Sequence, residues 1–168
     1  YLPIMPGWIH VLVCSIAGMI GGALWALIPA VLKAYHRINE IIVTLLLNYV
    51  AINIVSYAVS GPMMAADAPY PYSNEIPETL FLPHVLPRTD AHLGVMIGVF
   101  LAITLFVVFR RSTVGFSLAT VGRNADAARY AGMSVKRHIV LAFVVAGAMA
   151  GLGGTYEVLG LKYRLFHH

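Results

Sequence analysis

The stretch ATVGRNADAARYAGMSVKRH, residues 119 to 138, decides how this chain is organised. It is short, polar and basic, and it lies between two apolar runs that are each long enough to cross a bilayer. Asn124 or Asp126 can cap a short helix here, residues 125 to 131 favour that helix, and Gly132 can end it in the left-handed conformation. A short capped helix between two membrane spans is typical of a docking element for a cytosolic partner.

The composition places the chain among membrane proteins. Hydrophobic residues make up 60% of it and charged residues only 11%, whereas soluble domains carry about 25% charged residues. The formal net charge is +4, but the basic residues lie between the apolar runs rather than along one face, so we expect no nucleic-acid partner. The single cysteine, Cys14, lies in an apolar run and predicts a small core residue rather than a disulfide.

Four segments are apolar and long enough to span a membrane. They are residues 11–32, 41–59, 93–109 and 139–161. About 20 helical residues cross a hydrocarbon core of roughly 30 Å, and an open strand could not satisfy its backbone in lipid. We therefore expect an all-α, polytopic integral membrane protein with four transmembrane helices and a short cytoplasmic helix. Pro29 is expected to kink or end the first span.

The charges of the connecting segments predict the orientation. Residues 33–40 hold Lys33 and Arg37, and residues 110–138 hold six basic residues against Asp126 alone. Residues 60–92 hold four acidic residues against Arg88, together with six prolines. The positive-inside rule puts the two basic segments in the cytoplasm and the acidic one outside, as an extended, proline-rich outer loop.

Small residues recur at a spacing of four in two of the spans. The first span contains Gly18-x-x-x-Gly22 and Gly22-x-x-x-Ala26, and the fourth contains Gly147-x-x-x-Gly151 and Ala150-x-x-x-Gly154. Such spacing lets helix backbones approach closely in lipid. The alternative is glycine scattered through an apolar helix. In either case we expect both helices to pack against protein as well as lipid.

Three polar residues are candidates for a substrate pathway: Thr44, Asn48 and Glu157. Thr44 and Asn48 share a helix face, and Asn48 is either a substrate contact or an interhelical hydrogen bond. A charged side chain at the centre of a span costs about 2.5–3.5 kcal/mol. Glu157, near the outer end of the fourth span, therefore faces a polar cavity or partner, or snorkels to the headgroups. Glu40 is expected to favour the positive N-terminus of the second span.

The sequence lacks the patterns of a catalytic or metal site. It has no Gly-x-x-x-x-Gly-Lys-Ser/Thr loop, its seven histidines show no metal-ligand spacing, and no Ser, His and Asp are grouped as a nucleophile requires. We therefore expect neither an enzyme nor a bound cofactor or metal. The chain starts at Tyr1 without the pattern of a secretory signal, and we expect it to be an internal piece of a longer protein.

Five motifs occur in order along the chain. They are GALWALIPAVLK at 22–33, NEIIVTLLLNY at 39–49, Gly61-Pro62, GRNADAARYAGMS at 122–134 and GLGGTYEVLG at 151–160. Together they resemble the permeases of ABC importers, in the branch that handles branched-chain amino acids, simple sugars and nucleosides. Within that branch they are most similar to the nucleoside-type permeases that work with basic membrane lipoproteins.

The resemblance implies a subunit of an ABC importer in the bacterial cytoplasmic membrane, forming part of a pathway for nucleosides or simple sugars. The implied partners are cytoplasmic ATP-binding subunits, a second permease subunit and an extracytoplasmic substrate-binding lipoprotein, besides membrane lipid. Two alternatives stay open. One is a branched-chain amino acid permease. The other is a truncated scaffold that does not transport, favoured by residues 161–168, which do not look like the family's continuation.

The resemblance also assigns residues to the ATPase-docking segment, the family's coupling helix. Small alanines would allow close approach there, and glycines would permit sharp turns. The basic side chains would meet acidic groups of the partner. The residues carried over are Gly122, Asn124, Ala127, Ala128 and Gly132, with Arg123 and Arg129 as the basic contacts.

Overall fold

The computed structural model describes residues 7–64, 73 and 93–162. These residues form helices and turns, with one isolated bridge between Met64 and Ser73. In chain order the helices are α1 (Gly7–His36), α2 (Glu40–Ser60), α3 (Leu93–Arg111), α4 (Thr113–Arg123), α5 (Ala125–Tyr130) and α6 (Val135–Glu157), followed by a π-helical turn at Val158–Lys162. The expected outer loop, residues 60–92, and the tail after Lys162 lie largely outside the described residues, so their course stays a prediction.

Four of these helices are long and apolar enough to cross a membrane. They are α1, α2, α3 and α6, the last together with the start of its π-helical turn. Many of their large apolar side chains are exposed, as expected for surfaces that meet lipid or further protein. The all-α, multi-span fold expected from the sequence is confirmed.

Helix α1 is longer than the span expected at residues 11–32. It continues through Pro29 to His36, so it does not end at the proline. Proline removes one backbone hydrogen bond and crowds one carbonyl. Membrane helices tolerate it because neighbouring helices and local adjustments compensate, and α1 packs extensively against α6.

The close contact of α1 with α6 is the most extensive packing between described helices. Gly18 and Gly22 of α1 lie against Gly147 and Gly151 of α6, and a Cβ added to any of the four would overlap atoms of the opposite helix. A Cβ on Gly22, for example, would lie 2.9 Å from the Cα of Gly151. This contact, here called the glycine contact, confirms that the spacing serves helix packing. Gly154 has open space around it and takes no part.

A small buried cluster lies beside the glycine contact, near the C-terminal end of α6. Leu152, Tyr156 and Leu159 form it, and Cys14 and Leu101 are among the residues packed against it. The hydroxyl of Ser15 on α1 lies 2.7 Å from the carbonyl of Val11 and 3.4 Å from the hydroxyl of Tyr156. Cys14 is only partly buried and packs against the edge of this cluster, so the expectation of a small core residue is met in part.

The first prediction concerns the glycine contact. We expect Gly22→Ala to lower the stability of the protein in detergent by about 1–3 kcal/mol, because the new methyl group overpacks the contact. Gly21→Ala is the matched control, because no atom lies within 4 Å of a Cβ placed there. The measurement is the thermal unfolding midpoint of each variant. Equal midpoints for the two variants would show that the close approach is not required.

Candidate functional site: a docking helix and an intramembrane groove

Helix α5 begins at a side-chain cap provided by Asn124. The Oδ1 atom of Asn124 accepts hydrogen bonds from the backbone N–H groups of Asp126 and Ala127, both at 3.0 Å. These are two of the donors that a helix leaves unpaired at its start. Of the two candidate caps, the structure therefore selects Asn124. Asp126 lies in the first turn instead and forms an exposed ion pair with Arg129 at 3.4 Å.

Helix α5 ends in a Schellman motif centred on Gly132. Gly132 has a φ of 78°, its N–H donates to the carbonyl of Arg129 at 3.0 Å, and the N–H of Met133 donates to that of Ala128 at 2.9 Å. Gly132 occupies the left-handed conformation that an L side chain rarely adopts. The expected ending of the short helix is confirmed.

Helix α4 is not predicted from the sequence, where residues 110–138 indicate one loop with one short helix. Ser112 caps α4 by accepting from the N–H of Gly115 at 3.1 Å. A Cβ on Gly115 would overlap the backbone of Phe109, so glycine permits the sharp turn from α3 into α4. The signal that could have found α4 is the capping serine after Arg111.

The two alanines assigned to docking from the sequence differ in their exposure. Ala128 is fully buried where α5 lies against α4 and α6, so its methyl group seats the helix and is not available to a partner. Ala127 and Arg123 are exposed, and Tyr130 is 96% exposed. The sequence reasoning did not single out Tyr130 as a site residue. An exposed aromatic ring on a short capped helix is a common anchor of protein interfaces.

Gly122 is not at a sharp turn, which is the role expected of this glycine from the sequence. It lies in the last turn of α4, with no positive φ and no atom within 4 Å of an added Cβ. Of the two docking glycines, Gly132 alone makes the sharp turn.

Thr44 and Asn48 line one groove between α1, α2 and α6, here called the α2 groove. Its volume is about 390 Å³, and its other lining residues include Trp25, Leu47 and Phe143. Small-molecule sites are concave and mostly apolar with a few polar groups, and this groove has that character. Trp25 belongs to the motif at residues 22–33, but no pattern around it predicts a site residue.

The side chains of Thr44 and Asn48 differ in their availability. The Thr44 hydroxyl lies 2.9 Å from the carbonyl of Glu40 and 3.1 Å from that of Ile41, so its own helix occupies it. The Asn48 amide makes no hydrogen bond within the described part of the chain, so the interhelical bond considered from the sequence is not observed there. Asn53 lines a different depression and donates to the carbonyl of Tyr49 at 2.8 Å.

Glu157 lies apart from this groove. It lines a second groove between α3 and α6, and its carboxylate pairs with Lys162 at 2.9 Å. Residues five apart are about 140° apart around an α-helix, but π-helical hydrogen bonds join residues i and i+5. The π-helical turn therefore brings the two charges together, an arrangement that the sequence reasoning did not consider.

The start of α2 carries both a cap and an ion pair. Asn39 is the cap, with its Oδ1 accepting from the N–H of Ile41 at 2.9 Å. Glu40 lies in the first turn, as expected, and its carboxylate also forms an ion pair with Lys33 at the end of α1.

The amino-acid sequence matches a family model of membrane proteins. The family model described as "Branched-chain amino acid transport system / permease component" covers residues 2–166. The chain belongs to this permease family. Its members are membrane transport components and not enzymes.

Three curated relatives of this permease chain are named as ABC transporter permeases. It is 34% identical to the guanosine ABC transporter permease protein NupP of Bacillus subtilis (strain 168), over 92% of this chain and 45% of NupP. It is 36% identical to the glucose ABC transporter permease protein TsgB13 of Haloferax volcanii, over 89% of this chain and 42% of that protein. It is 29% identical to the nucleoside ABC transporter permease protein NupB of Lactococcus lactis subsp. cremoris, over 96% of this chain and 46% of NupB.

This permease chain spans somewhat less than half the length of these three relatives. No solved structure gives a significant match to it.

The second prediction concerns the cap of α5. We expect Asn124→Ala to destabilise this helix by about 1 kcal/mol, because two backbone donors lose their acceptor. Hydrogen exchange at the amides of Asp126 and Ala127 would become correspondingly faster. Asn124→Ser keeps a capping oxygen and should stay near the wild-type rate. Unchanged exchange in Asn124→Ala would mean that the cap does not hold the helix.

Proposed function

We propose that this chain is part of a transmembrane subunit of an ATP-binding-cassette importer in the bacterial cytoplasmic membrane, passing nucleosides or simple sugars. The family match over residues 2–166 carries the proposal. The names of its relatives, which concern guanosine, glucose and nucleosides, support the substrate class. Such an importer would also include cytoplasmic ATP-binding subunits, a second permease subunit and an extracytoplasmic substrate-binding lipoprotein.

The proposed docking site for the ATP-binding subunit is made of Arg123, the last residue of α4, and of Ala127 and Tyr130 on the exposed side of α5. Support comes from the Asn124 cap at the start of α5 and the Schellman motif at its end. Together they stabilise this short helix without a partner. The face combines an exposed aromatic ring, a small residue that permits close approach and a basic residue. Aromatic residues and arginine are enriched among the contacts that dominate interface affinity. In this proposal Ala128, Asn124 and Gly132 shape the helix. The residues that meet the partner are Arg123, Ala127 and Tyr130.

The proposed substrate pathway includes the α2 groove. The unpaired amide of Asn48 offers a donor and an acceptor, and the indole of Trp25 offers an apolar face. An amide beside an aromatic face suits a planar base or the face of a sugar ring. Among the residues that the structure describes, those lining this groove include no charged side chain. A branched-chain amino acid carries two charges that need partners when buried, so this groove favours uncharged substrates over that alternative.

The third prediction tests the docking face. We expect Tyr130→Ala to weaken the association with the ATP-binding subunit by roughly 2 kcal/mol or more, about thirtyfold in affinity, if Tyr130 is an interface anchor. The measurement is an affinity pull-down of the full permease from its native membrane in mild detergent, with mass spectrometry of the partners. Tyr130→Phe keeps the ring and is the matched control.

Two results would overturn parts of this assignment. Full recovery of the ATP-binding subunit with Tyr130→Ala would remove Tyr130 from the interface. A folded wild-type permease that brings down no ATP-binding subunit would favour the non-transporting scaffold instead.

The fourth prediction tests the α2 groove. We expect Asn48→Leu to raise the KM for uptake about two- to tenfold, because a hydrogen bond to the substrate worth about 0.5–1.5 kcal/mol is lost. Asn53→Leu is the matched control, because Asn53 lies on the same helix and bonds within that helix. Uptake is measured in the intact importer with labelled nucleoside and labelled glucose. Equal KM values for the two variants would place the substrate contact elsewhere.

A further inference from the structure

Two side-chain contacts join neighbouring ends of three long apolar helices, α1, α2 and α6. The ammonium of Lys136 on α6 lies over the ring of Tyr35 on α1, and Lys33 on α1 pairs with Glu40 on α2. We propose that these contacts form a linkage through which movement of α5 reaches the α2 groove. Tyr35, Lys136, Lys33 and Glu40 would then be positioning residues for transport. This inference rests on the proposed function.

The first step of the linkage runs from α5 to α1. Only residues 131–134 separate α5 from α6, and the Schellman motif holds the start of that connection with two hydrogen bonds. Lys136 follows in the first turn of α6, and its Nζ lies 4.6 Å from the centroid of the Tyr35 ring. This is within the range of a cation–π contact. A displacement of α5 therefore reaches the end of α1 through a short, bonded connection.

The second step runs from α1 to the groove. Lys33 is two residues before Tyr35, and its partner Glu40 is the first residue of α2. The carbonyl of Glu40 lies 2.9 Å from the Thr44 hydroxyl, and Asn48 follows one turn later on the same face. The ion pair thus links the end of α1 to the start of the helix that carries Asn48.

Among the described helices, α2 packs little against the rest. The glycine contact holds the middle of α1 against the middle of α6, whereas the contact of α2 with α1 is much smaller. The α2 groove lies between α2 and the pair formed by α1 and α6. A change in the tilt of α2 would therefore widen or narrow the groove while the glycine contact keeps the middle of α1 and α6 packed.

The strength of the two contacts suits a linkage that must form and break. The side chains of Lys33 and Glu40 are 37% and 38% exposed, and partly exposed ion pairs are weak. Exposed cation–π contacts are similarly weak. Such contacts can bias the position of α2 without locking it in one state.

The experiment uses the complete importer, reconstituted in vesicles, and measures ATP hydrolysed per substrate molecule imported. Tyr35→Leu removes the ring without changing any charge, and Tyr35→Phe keeps the ring. Lys33→Gln, Glu40→Gln and the double variant form a thermodynamic cycle that isolates the ion pair from the helix-dipole effect of Glu40. Binding of the ATP-binding subunit is measured for every variant by the same pull-down as above.

We expect Tyr35→Leu and each single charge variant to raise the ATP hydrolysed per substrate about two- to fivefold, as loss of a weak contact would. Tyr35→Phe should behave as the wild type, and the double charge variant should be no worse than either single variant. Binding of the ATP-binding subunit should be retained throughout.

If Tyr35→Leu and the single charge variants hydrolyse as much ATP per substrate as the wild type, with the ATP-binding subunit still bound, the linkage is overturned. The proposed function would then stay intact. If the increases in ATP hydrolysed per substrate from the two single charge variants add up in the double variant, the role of the ion pair is overturned. If Tyr35→Leu fails to fold, the charge variants still decide the second step, and Lys136→Gln against Lys136→Arg decides the first. A wild-type importer that binds no ATP-binding subunit would instead remove the proposed function, and the linkage with it.

Discussion

The close approach of two helix backbones organises the rest of this structure. In lipid, apolar side chains gain little from leaving their surroundings for each other, so helices associate through close packing and hydrogen bonds. Gly22 and Gly147 remove the side chains that would keep α1 and α6 apart, and the two helices become one unit. The buried cluster around Leu152 and Tyr156 extends that unit, and α2 and α5 take their places around it.

Local features were the most predictable from the sequence. Asn124 and Gly132 were identified because capping depends on a few neighbouring residues and on backbone geometry that few residue types allow. The four spans followed from apolar length alone. Thr44 and Asn48 were correctly placed on one face, because a spacing of four residues fixes that in any α-helix.

Features that depend on tertiary packing could not be predicted. Nothing in the sequence says which of Ala127 and Ala128 faces inward, because a six-residue helix is oriented by its neighbours. Helix α4 contains glycine and β-branched residues that disfavour helix in isolation, so its context decides. The pairing of Glu157 with Lys162 depends on a π-helical turn that no spacing rule indicates. The cytoplasmic orientation of α5 rests on charge distribution and stays a prediction.

The glycine contact also bears on how such a permease can change its substrate during evolution. Gly22, Gly147 and Gly151 line the α2 groove as well as forming the contact between α1 and α6. One wall of the groove is therefore made of positions at which even a single added methyl group would separate the two helices. In the proposed substrate pathway, variation in specificity would therefore fall on the remaining lining, especially Leu47, Asn48 and Ala51 on α2. Selectivity would diverge on that helix, while packing would restrict change in the wall opposite it.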